Sequence, residues 1–281
     1  MKIKQLIEYG KKLLKENAVE DASLIAKLLV QYILKMDRTQ IIVNEEQEVD
    51  EDCKHRYYLA LIEVIQGMPV QYITNKQEFM KLEFYVDDNV LIPQPDTEIL
   101  VEEVIGIAKR SNKELNVLDM CTGSGCIAVA IAKNLENSNV VMSDISKKAL
   151  EIAEKNYNQN IENGKKAKFV ESNMFEKIEG KFDIIVSNPP YIESQNIENL
   201  SNEVKREPHI ALDGGKDGLD FYRILISESY KYLNENGYLC MEIGYNQKVP
   251  VMRLIEESGK YKETYCKEDL AGNDRVIITR T

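Results

Sequence analysis

The first 75 residues carry apolar side chains at the three- and four-residue steps of amphipathic helices. The pattern predicts three helices, one near the amino terminus, a second over 21–34 and a third over 50–66. The side chains expected to be buried are Ile3, Leu6, Ile7, Leu13 and Leu14 in the first helix, Leu24, Ile25, Leu28, Leu29 and Ile33 in the second, and Leu59, Ile62 and Ile65 in the third. Because each stripe needs a partner surface, residues 1–75 are predicted to form a small helical bundle.

The pattern changes after residue 75. Gly67, Met68 and Pro69 end the third helix, and residues 79–87 alternate partly, which favours a short hairpin within a linker over 76–90. From 91 to 281, short apolar runs alternate with helical stretches, a rhythm typical of an α/β domain. Strands are predicted at 116–120, 140–143, 168–171, 182–187 and 238–243, with a closing antiparallel pair at 261–266 and 275–279, and helices near 127–135, 147–156 and 219–233.

Composition narrows the possible functions. No run reaches the roughly 18 apolar residues of a membrane span, so we expect a soluble, cytoplasmic protein. Five scattered cysteines without a Cys-x-x-Cys pair, and only two histidines, lead us to expect neither disulfides nor a metal site. The net charge of -11 disfavours nucleic acid and favours a protein or small-molecule partner. The lysine-rich stretch 163–168 is predicted to be a solvated turn.

A glycine-containing turn follows the first predicted strand of the α/β domain. Residues 119–125 read Asp-Met-Cys-Thr-Gly-Ser-Gly and lead directly into the helix near 127–135. Glycines in such a turn allow close approach of the backbone to a ligand. Gly123, Gly125 and Ala128 also satisfy the dinucleotide-binding fingerprint, with alanine in the third place. The turn alone therefore leaves two cofactors open, a nicotinamide dinucleotide and S-adenosylmethionine.

Polar residues follow the next two predicted strands. Asp144 comes after the second strand, where a carboxylate can accept both hydroxyls of a ribose, or alternatively cap the helix that begins near Ser146. Asn173 and Met174 come after the third strand and are candidates for holding the edge and the face of an adenine. Because ligands of open α/β sheets bind at the carboxyl ends of the strands, these residues are predicted to meet in one crevice.

The fourth strand decides between the two cofactors, because it runs into Asn188-Pro189-Pro190-Tyr191. The prolines stiffen the turn, so the Asn188 side-chain oxygen and the Pro189 carbonyl become a fixed pair of acceptors. Such a pair suits a planar NH2 group, whereas hydride transfer has no evident use for it. We therefore expect methyl transfer to an amide nitrogen, with Tyr191 holding the amide plane and no general base.

At these residues the sequence resembles the class I S-adenosylmethionine-dependent methyltransferases, and it is most similar to the HemK/PrmC family of release factor glutamine N5-methyltransferases. The resemblance spans nearly the whole chain. Beyond the helical region, the glycine turn and Asn188–Tyr191, it is carried by 69–73 (Pro-Val-Gln-Tyr-Ile), 91–98 (Leu-Ile-Pro-Gln-Pro-Asp-Thr-Glu), Glu207-Pro208 and 211–215 (Ala-Leu-Asp-Gly-Gly).

The resemblance implies a Rossmann-like domain over 91–281 with a mostly parallel seven-stranded sheet whose last strand is antiparallel. It implies S-adenosylmethionine as cofactor, with S-adenosylhomocysteine as product, bound by Cys121, Thr122, Gly123, Ser124, Gly125, Asp144, Met174 and Asn188. The implied substrate is the glutamine of the Gly-Gly-Gln loop of class 1 peptide chain release factors, which act in translation termination. This glutamine is expected to lie against Asn188, Pro189, Pro190 and Tyr191, with the domain over 1–75 docking the factor.

Three residues depart from the family pattern. Cys121 stands where the turn usually begins with glycine, Met174 where an aromatic residue is common, and Gln94 where an arginine is usual between two prolines. The polarizable thioether of Met174 can still cover an adenine face. Gln94 cannot make the bidentate ionic contacts of an arginine.

Alternative functions share these features. An N6-adenine methyltransferase acting on DNA or RNA could present the same acceptors to an exocyclic amine, although the charge and the lack of an evident base-reading domain disfavour it. A glutamine of a ribosomal protein could be the substrate instead. The chain could also be a cofactor-binding scaffold without activity.

Overall fold

The computed structural model describes residues 1–110, 114–162 and 167–281. The chain divides into two compact units, one formed by residues 1–76 with 201–206 and the other by 77–200 with 207–281. Most of the lysine-rich stretch 163–168, predicted to be a solvated turn, lies outside the described residues. Among the helices described, none is long and apolar enough to cross a membrane.

The first unit is a helical bundle. Its helices are α1 (Ile3–Glu16), α2 (Ala22–Leu34), α3 (Arg38–Val43), α4 (Glu51–Ile65) and α5 (Val70–Thr74). The three long helices confirm the predicted ones, whereas the short α3 and α5 were not predicted. The sequence signal for α3 is its capping box, in which the Asp37 carboxylate accepts from the Gln40 N–H at 2.8 Å and the Gln40 side chain accepts from the Asp37 N–H.

The predicted buried face of α4 is wrong at Leu59 and Ile62, whereas Ile65 is half-buried and packs against the core. Leu59 and Ile62 are each 47% exposed, and the helix instead buries Tyr57, Ala60, Leu61 and Val64. Tyr57 sets this orientation because its hydroxyl donates to the Ala26 carbonyl at 3.2 Å within the core.

The surface of α1 permits this packing. The Tyr57 ring lies so close to Gly10 that a Cβ there would meet the phenol oxygen at 1.9 Å. A large aromatic residue with a buried hydrogen bond thus outweighs the aliphatic stripe. In α2 the prediction fails at Leu24 alone among the buried set, since this side chain is 56% exposed while Ile25, Leu29 and Ile33 are buried.

The second unit combines a hairpin with an α/β sheet. The hairpin pairs β1 (Gln77–Phe79) with β2 (Leu82–Phe84), and both phenylalanines are buried in the core of this unit. The hairpin is therefore part of the second unit rather than a linker. The remaining elements are α6 (Thr97–Ala108), β3 (Leu115–Met120), α7 (Cys126–Asn134), β4 (Ser138–Asp144), α8 (Lys147–Asn160), β5 (Lys168–Glu171), β6 (Phe182–Ser187), α9 (His209–Leu212), α10 (Asp220–Glu228), β7 (Leu233–Glu242), α11 (Lys248–Ser258), β8 (Thr264–Glu268) and β9 (Asp274–Arg280).

The sheet has seven strands in the order β5-β4-β3-β6-β7-β9-β8. Neighbouring strands from β5 to β7 are parallel, and β9 runs antiparallel to both β7 and β8. This confirms the predicted Rossmann-like sheet with its antiparallel last strand. The strand order reverses beside β3, whose neighbours are β4 and β6, and this reversal opens a crevice at the carboxyl ends of these strands.

Helices cover both faces of the sheet. In β6, Ile184 and Val186 pack in one apolar core and Ile185 in the other, so all six residues of the strand are buried. A strand buried on both faces carries a nearly continuous apolar run, here residues 184–186, which explains why β6 lacks the alternation of a half-exposed strand. The two cores fix the positions at which β3, β4 and β6 end, and hence the positions of the residues that follow them.

The predicted boundary between α10 and β7 is wrong. The helix expected over 219–233 ends at Glu228, and Leu233 instead begins β7, five residues before its predicted start. The sequence Asn236-Gly237 has the composition of a turn, but here Asn236 takes a left-handed backbone conformation (φ 62°) inside the strand. The pairing of β6 with β7 shifts register between Phe182 and Ile184, so β7 continues past Asn236 through a local irregularity instead of ending there.

Candidate active site

The turn between β3 and α7 gives its two glycines different tasks. Gly123 (φ 54°) has open space where a Cβ would stand, so its backbone is free for close approach of a ligand. Gly125 (φ 80°) packs against α8 instead, because a Cβ there would meet Ala153 Cα at 3.1 Å. The structure therefore places Gly123 at the crevice and makes Gly125 a packing residue.

Asp144 ends β4 with both carboxylate oxygens held by the backbone. Oδ2 accepts from the Gly123 N–H at 2.9 Å, and Oδ1 accepts from the Ser146 N–H at 2.9 Å. Burial raises the pKa of this carboxyl, while these bonds favour its charged form and oppose the shift. Each oxygen keeps a further lone pair, so the group can still accept the two hydroxyls of a ribose. The predicted cap is also present but belongs to Ser146, whose hydroxyl accepts from the Ala149 N–H at 3.2 Å.

Met174 and Cys121 form a sulfur-lined wall of the crevice. Both residues have left-handed backbones, with φ of 48° and 61°, and their sulfur atoms lie 3.9 Å apart. The Ser172 hydroxyl supports the first of these conformations, since it donates to the Met174 carbonyl at 2.8 Å and accepts from the Lys177 N–H. Asn173 is exposed, and its amide nitrogen donates to the Glu176 carboxylate at 2.9 Å.

The Asn188–Tyr191 segment follows β6. The Ser187 hydroxyl anchors its start by donating to the Met120 carbonyl of β3 at 2.7 Å. Asn188 is half-buried, and its amide nitrogen donates to the Thr97 hydroxyl at 3.2 Å. This bond uses one of the two N–H donors and orients the amide with its nitrogen toward Thr97, so the side-chain oxygen is free to accept from a ligand.

Tyr191 does not take the predicted position. It is absent from the residues lining the crevice, and its phenol lies near Arg275 and Glu242, where burial raises its pKa. Its carbonyl accepts from the Gln247 amide at 2.9 Å, and the same amide donates to Gly218. Tyr191 is half-buried and its ring packs against the apolar core on that side of the sheet.

The structure brings most of the predicted site residues together around one pocket. Those lining it are Cys121, Thr122, Gly123, Ser124, Asp144, Asn173, Met174, Asn188 and Pro190. Gly125, Pro189 and Tyr191 do not line it, although the Pro189 main chain belongs to the same turn. The largely apolar lining, with one carboxylate at the end of β4 and an open backbone at Gly123, fits a nucleoside that carries an apolar or sulfur-containing extension.

Two further segments complete the pocket wall. Pro93 and Gln94 come from the stretch before α6, and Pro208 comes from the stretch before α9. Glu207 joins the two stretches by accepting from the Ile92 N–H at 2.9 Å, and burial raises its pKa to about 7. The Gln94 amide donates to the nearby Ile92 carbonyl at 3.0 Å. This local bond does not need the positive charge of the arginine that is usual at this position in the family.

Three buried polar residues near the pocket were not predicted as site residues. Asp119 accepts from the Thr122 hydroxyl at 2.5 Å, its Oδ1 has no partner among the described residues, and burial raises its pKa to about 7. Thr97 and Glu242 are each 2% exposed and lie beside Asn188, and Thr97 also lines the pocket. The available signal was that Asp119 and Glu242, like the predicted residues, stand at the ends of strands.

The left-handed backbone of Cys121 allows a direct test of what cysteine, in place of the glycine usual in the family, does to stability. Cys121→Gly is expected to keep the free energy of unfolding within about 1 kcal/mol, because relief of strain offsets the lost thiol packing. Cys121→Val is expected to lose about 1 to 3 kcal/mol or more, because a β-branched side chain is poorly tolerated at positive φ. Denaturant unfolding of the two variants measures the difference. Equal stability of the valine variant and the natural chain would contradict the proposed backbone strain at residue 121.

Comparison with known proteins agrees with this geometry. Residues 5–74 match the PrmC N-terminal domain family, and residues 95–216 match the Methyltransferase small domain family. The chain is 39% identical to the release factor glutamine methyltransferase of Clostridium botulinum, with 100% of this chain and 99% of that protein covered. It is 41% identical to the enzyme of the same name from Clostridium acetobutylicum, with 99% and 98% covered.

A solved structure, a methyltransferase from Pyrococcus furiosus, shares the fold at 18% identity and a TM-score of 0.50, over 71% of this chain and 88% of that chain. At this identity the likeness concerns the fold alone. The two relatives, in contrast, match over practically their full length at 39% and 41% identity. The chain therefore belongs to the release factor glutamine methyltransferase family.

Proposed function

We propose that this protein transfers a methyl group from S-adenosylmethionine to the side-chain amide nitrogen, N5, of the glutamine in the Gly-Gly-Gln loop of class 1 peptide chain release factors. One observation carries the proposal beyond family membership. The Asn188 amide nitrogen is engaged by Thr97, which leaves the amide oxygen as an acceptor at the pocket. Two relatives that match over nearly the full length of both chains carry the name of this activity.

The chemistry follows from the weakness of an amide nitrogen as a nucleophile, since its lone pair is delocalised into the carbonyl. When bound, the cofactor supplies a sulfonium methyl group, whose bond to sulfur breaks as the new carbon–nitrogen bond forms. The Asn188 oxygen and the Pro189 carbonyl are proposed to accept the two N–H bonds of the glutamine amide. They thereby orient it and stabilise the positive charge that develops on nitrogen. The methylated nitrogen is acidic enough to lose its extra proton to water, so no general base is needed.

The cofactor is proposed to lie in the pocket described above. Asp144 would hold its ribose, Met174 the face of its adenine and Asn173 the adenine edge. The turn from Cys121 to Ser124 would bind the remainder, with Gly123 allowing close approach. Gly125 is proposed to act only through packing. Pro190 lines the pocket beside Asn188 and is proposed to contact the substrate, whereas Tyr191 is proposed to stiffen the turn.

The helical unit is proposed to dock the release factor. Leu24 and Tyr32 of α2, and Leu59 and Ile62 of α4, are each at least 40% exposed, which offers apolar contact area for a protein partner. The net charge of -11 supports a protein substrate over nucleic acid. A substrate of the translation machinery would place the enzyme in the cytoplasm.

Methyl incorporation from labelled S-adenosylmethionine tests the proposal. The acceptors to compare are a class 1 release factor, the same factor with its Gly-Gly-Gln glutamine changed to alanine, ribosomal proteins, duplex DNA and RNA. We expect label in the unaltered factor alone, located by mass spectrometry on that glutamine. Label in nucleic acid or in a ribosomal protein, with the release factor unlabelled, would replace the proposed substrate by that one.

A further inference from the structure

A buried carboxyl group lies behind the amide of Asn188. Glu242 is the last residue of β7, is 2% exposed, and has a carboxyl oxygen, Oε2, without a hydrogen-bond partner among the described residues. An incompletely partnered buried carboxyl destabilises the fold, so its presence calls for an explanation. Glu242 is not among the residues that line the pocket, so it would act on a ligand only through its neighbours.

Thr97 and Asn188 are those neighbours. The Asn188 amide nitrogen donates to the Thr97 hydroxyl at 3.2 Å, which uses the hydroxyl as an acceptor and leaves its own proton for another group. The pairing of β6 with β7 places Ser187 opposite Met241, so Asn188 and Glu242 are the next residues along two adjacent parallel strands. Residues from three separate elements, α6, β7 and the end of β6, thus converge on one amide.

We propose that Glu242, together with Thr97, is a positioning residue that keeps the Asn188 amide nitrogen turned into the protein and the amide oxygen turned toward the pocket. This inference rests on the proposed function, because it deepens the role of Asn188 as an acceptor. A flipped amide would present N–H bonds to the substrate NH2 group, and two donors cannot pair. A negative carboxylate behind the amide nitrogen also polarises the amide. It pushes electron density onto the amide oxygen, which makes the oxygen a stronger hydrogen-bond acceptor.

The protonation state of Glu242 then affects the reaction. Burial raises its pKa to about 7, and Asp96 raises it further, while Thr97, Arg275 and Asn188 lower it. Tyr191, Tyr222 and Cys126 are the other titratable groups close enough to interact with it, and burial keeps all three neutral near pH 7. As the pH falls through about 7, the carboxylate becomes neutral and its effect on Asn188 is lost. The kcat is therefore expected to fall on the acid side.

The first test follows kcat and KM against pH for the natural chain, for Glu242→Gln and for Glu235→Gln. Glu235 provides a matched control, because it lies on the same strand but is exposed. We expect Glu242→Gln to lower kcat by about 10-fold to 100-fold, a size typical for loss of a residue that orients a reacting group. The KM for the release factor should change little, and the acid limb near pH 7 should become shallower, leaving only the part contributed by Asp119 and Glu207, whose pKa burial also raises to about 7. Glu235→Gln should behave like the natural chain.

Thr97 offers a second pair of variants. Thr97→Val keeps the shape of the side chain but removes the hydroxyl, so we expect a loss of kcat of similar size. Thr97→Ser restores the hydroxyl and should recover most of that loss. Cofactor affinity, measured by calorimetry, should stay within a few-fold in all of these variants. A loss of kcat matched by equal losses of cofactor affinity and melting temperature would show that Glu242 and Thr97 support the fold only.

A measurement without substrate separates this inference from the proposed function. The side-chain amide signal of Asn188 can be assigned in a nitrogen-15 NMR spectrum of the full chain by its absence in Asn188→Ala. We expect this signal to shift with a midpoint near pH 7 in the natural chain and not in Glu242→Gln. A titrating signal in a protein that does not methylate release factors would uphold the positioning role and refute the substrate. A signal that ignores pH, or that titrates equally in Glu242→Gln, would overturn the positioning role.

Discussion

Asn188→Ala is expected to lower kcat for methylation of the release factor by about 100-fold to 1,000-fold, the usual effect of removing one preorganised polar group at the site of developing charge. The alanine variant has no side-chain acceptor for the substrate amide, and only the Pro189 carbonyl remains of the pair. Cofactor affinity should fall no more than a few-fold, because Asp144 and the glycine turn are untouched. Steady-state kinetics with the release factor, together with calorimetry for the cofactor, measures both quantities.

Asn196→Ala is the matched control for this prediction. Asn196 is an exposed asparagine in a short helical turn after the same strand, where its amide donates to the Glu193 carboxylate at 3.1 Å. The control should turn over like the natural chain. An Asn188→Ala variant with unchanged kcat would remove the acceptor pair from the mechanism, and an equal loss in both variants would indicate a general effect on the fold.

The residues around the pocket could be predicted from the sequence because they follow strands. Cys121, Asp144, Met174 and Asn188 each stand directly or within a few residues after a predicted strand, and all four line one pocket. The carboxyl ends of parallel strands meet at one edge of a sheet, so position along the chain is enough to bring such residues together. The antiparallel last strand was likewise predictable, because two apolar runs flank a glycine-containing turn.

Thr97, Tyr191 and the buried face of α4 could not be predicted in the same way. Thr97 begins α6, which the sequence pattern does not predict, lines the pocket, and meets Asn188 from 91 positions earlier in the chain. Tyr191 turns toward Arg275 and Glu242, because its ring packs against the apolar core on that side of the sheet and its hydroxyl lies near these polar side chains. Contacts of this kind depend on how helices and strands pack, and the spacing of residues along one element does not report it. The buried face of α4 failed for the same reason, since Gly10 of α1 makes room for Tyr57.

The second large effect is expected at Gly214, which lies against the backbone of the turn that carries Asn188. A Cβ at this position would meet Tyr191 Cα at 2.6 Å and the Pro190 carbonyl oxygen at 2.9 Å. The Gly214 N–H also donates to the Ile192 carbonyl at 2.8 Å, so the two backbones are tied together and cannot separate without breaking this bond. Gly214 does not have a positive φ, and the effect of a substitution is therefore steric rather than conformational.

Gly214→Ala is expected to lower the free energy of unfolding by about 1 to 3 kcal/mol, the usual result of overpacking. It should lower kcat by about 10-fold to 100-fold, because a shift of roughly 1 Å in a reacting group has this effect. Gly106→Ala in α6 is the control, since nothing lies within 4 Å of its Cβ. This control should gain up to about 1 kcal/mol of stability from helix propensity and keep its kcat. Denaturant unfolding and steady-state kinetics measure both variants. If Gly214→Ala matched the natural chain in both, the turn would have to tolerate movement that its contacts with Gly214 forbid, and a rigid acceptor pair could not be the source of the rate.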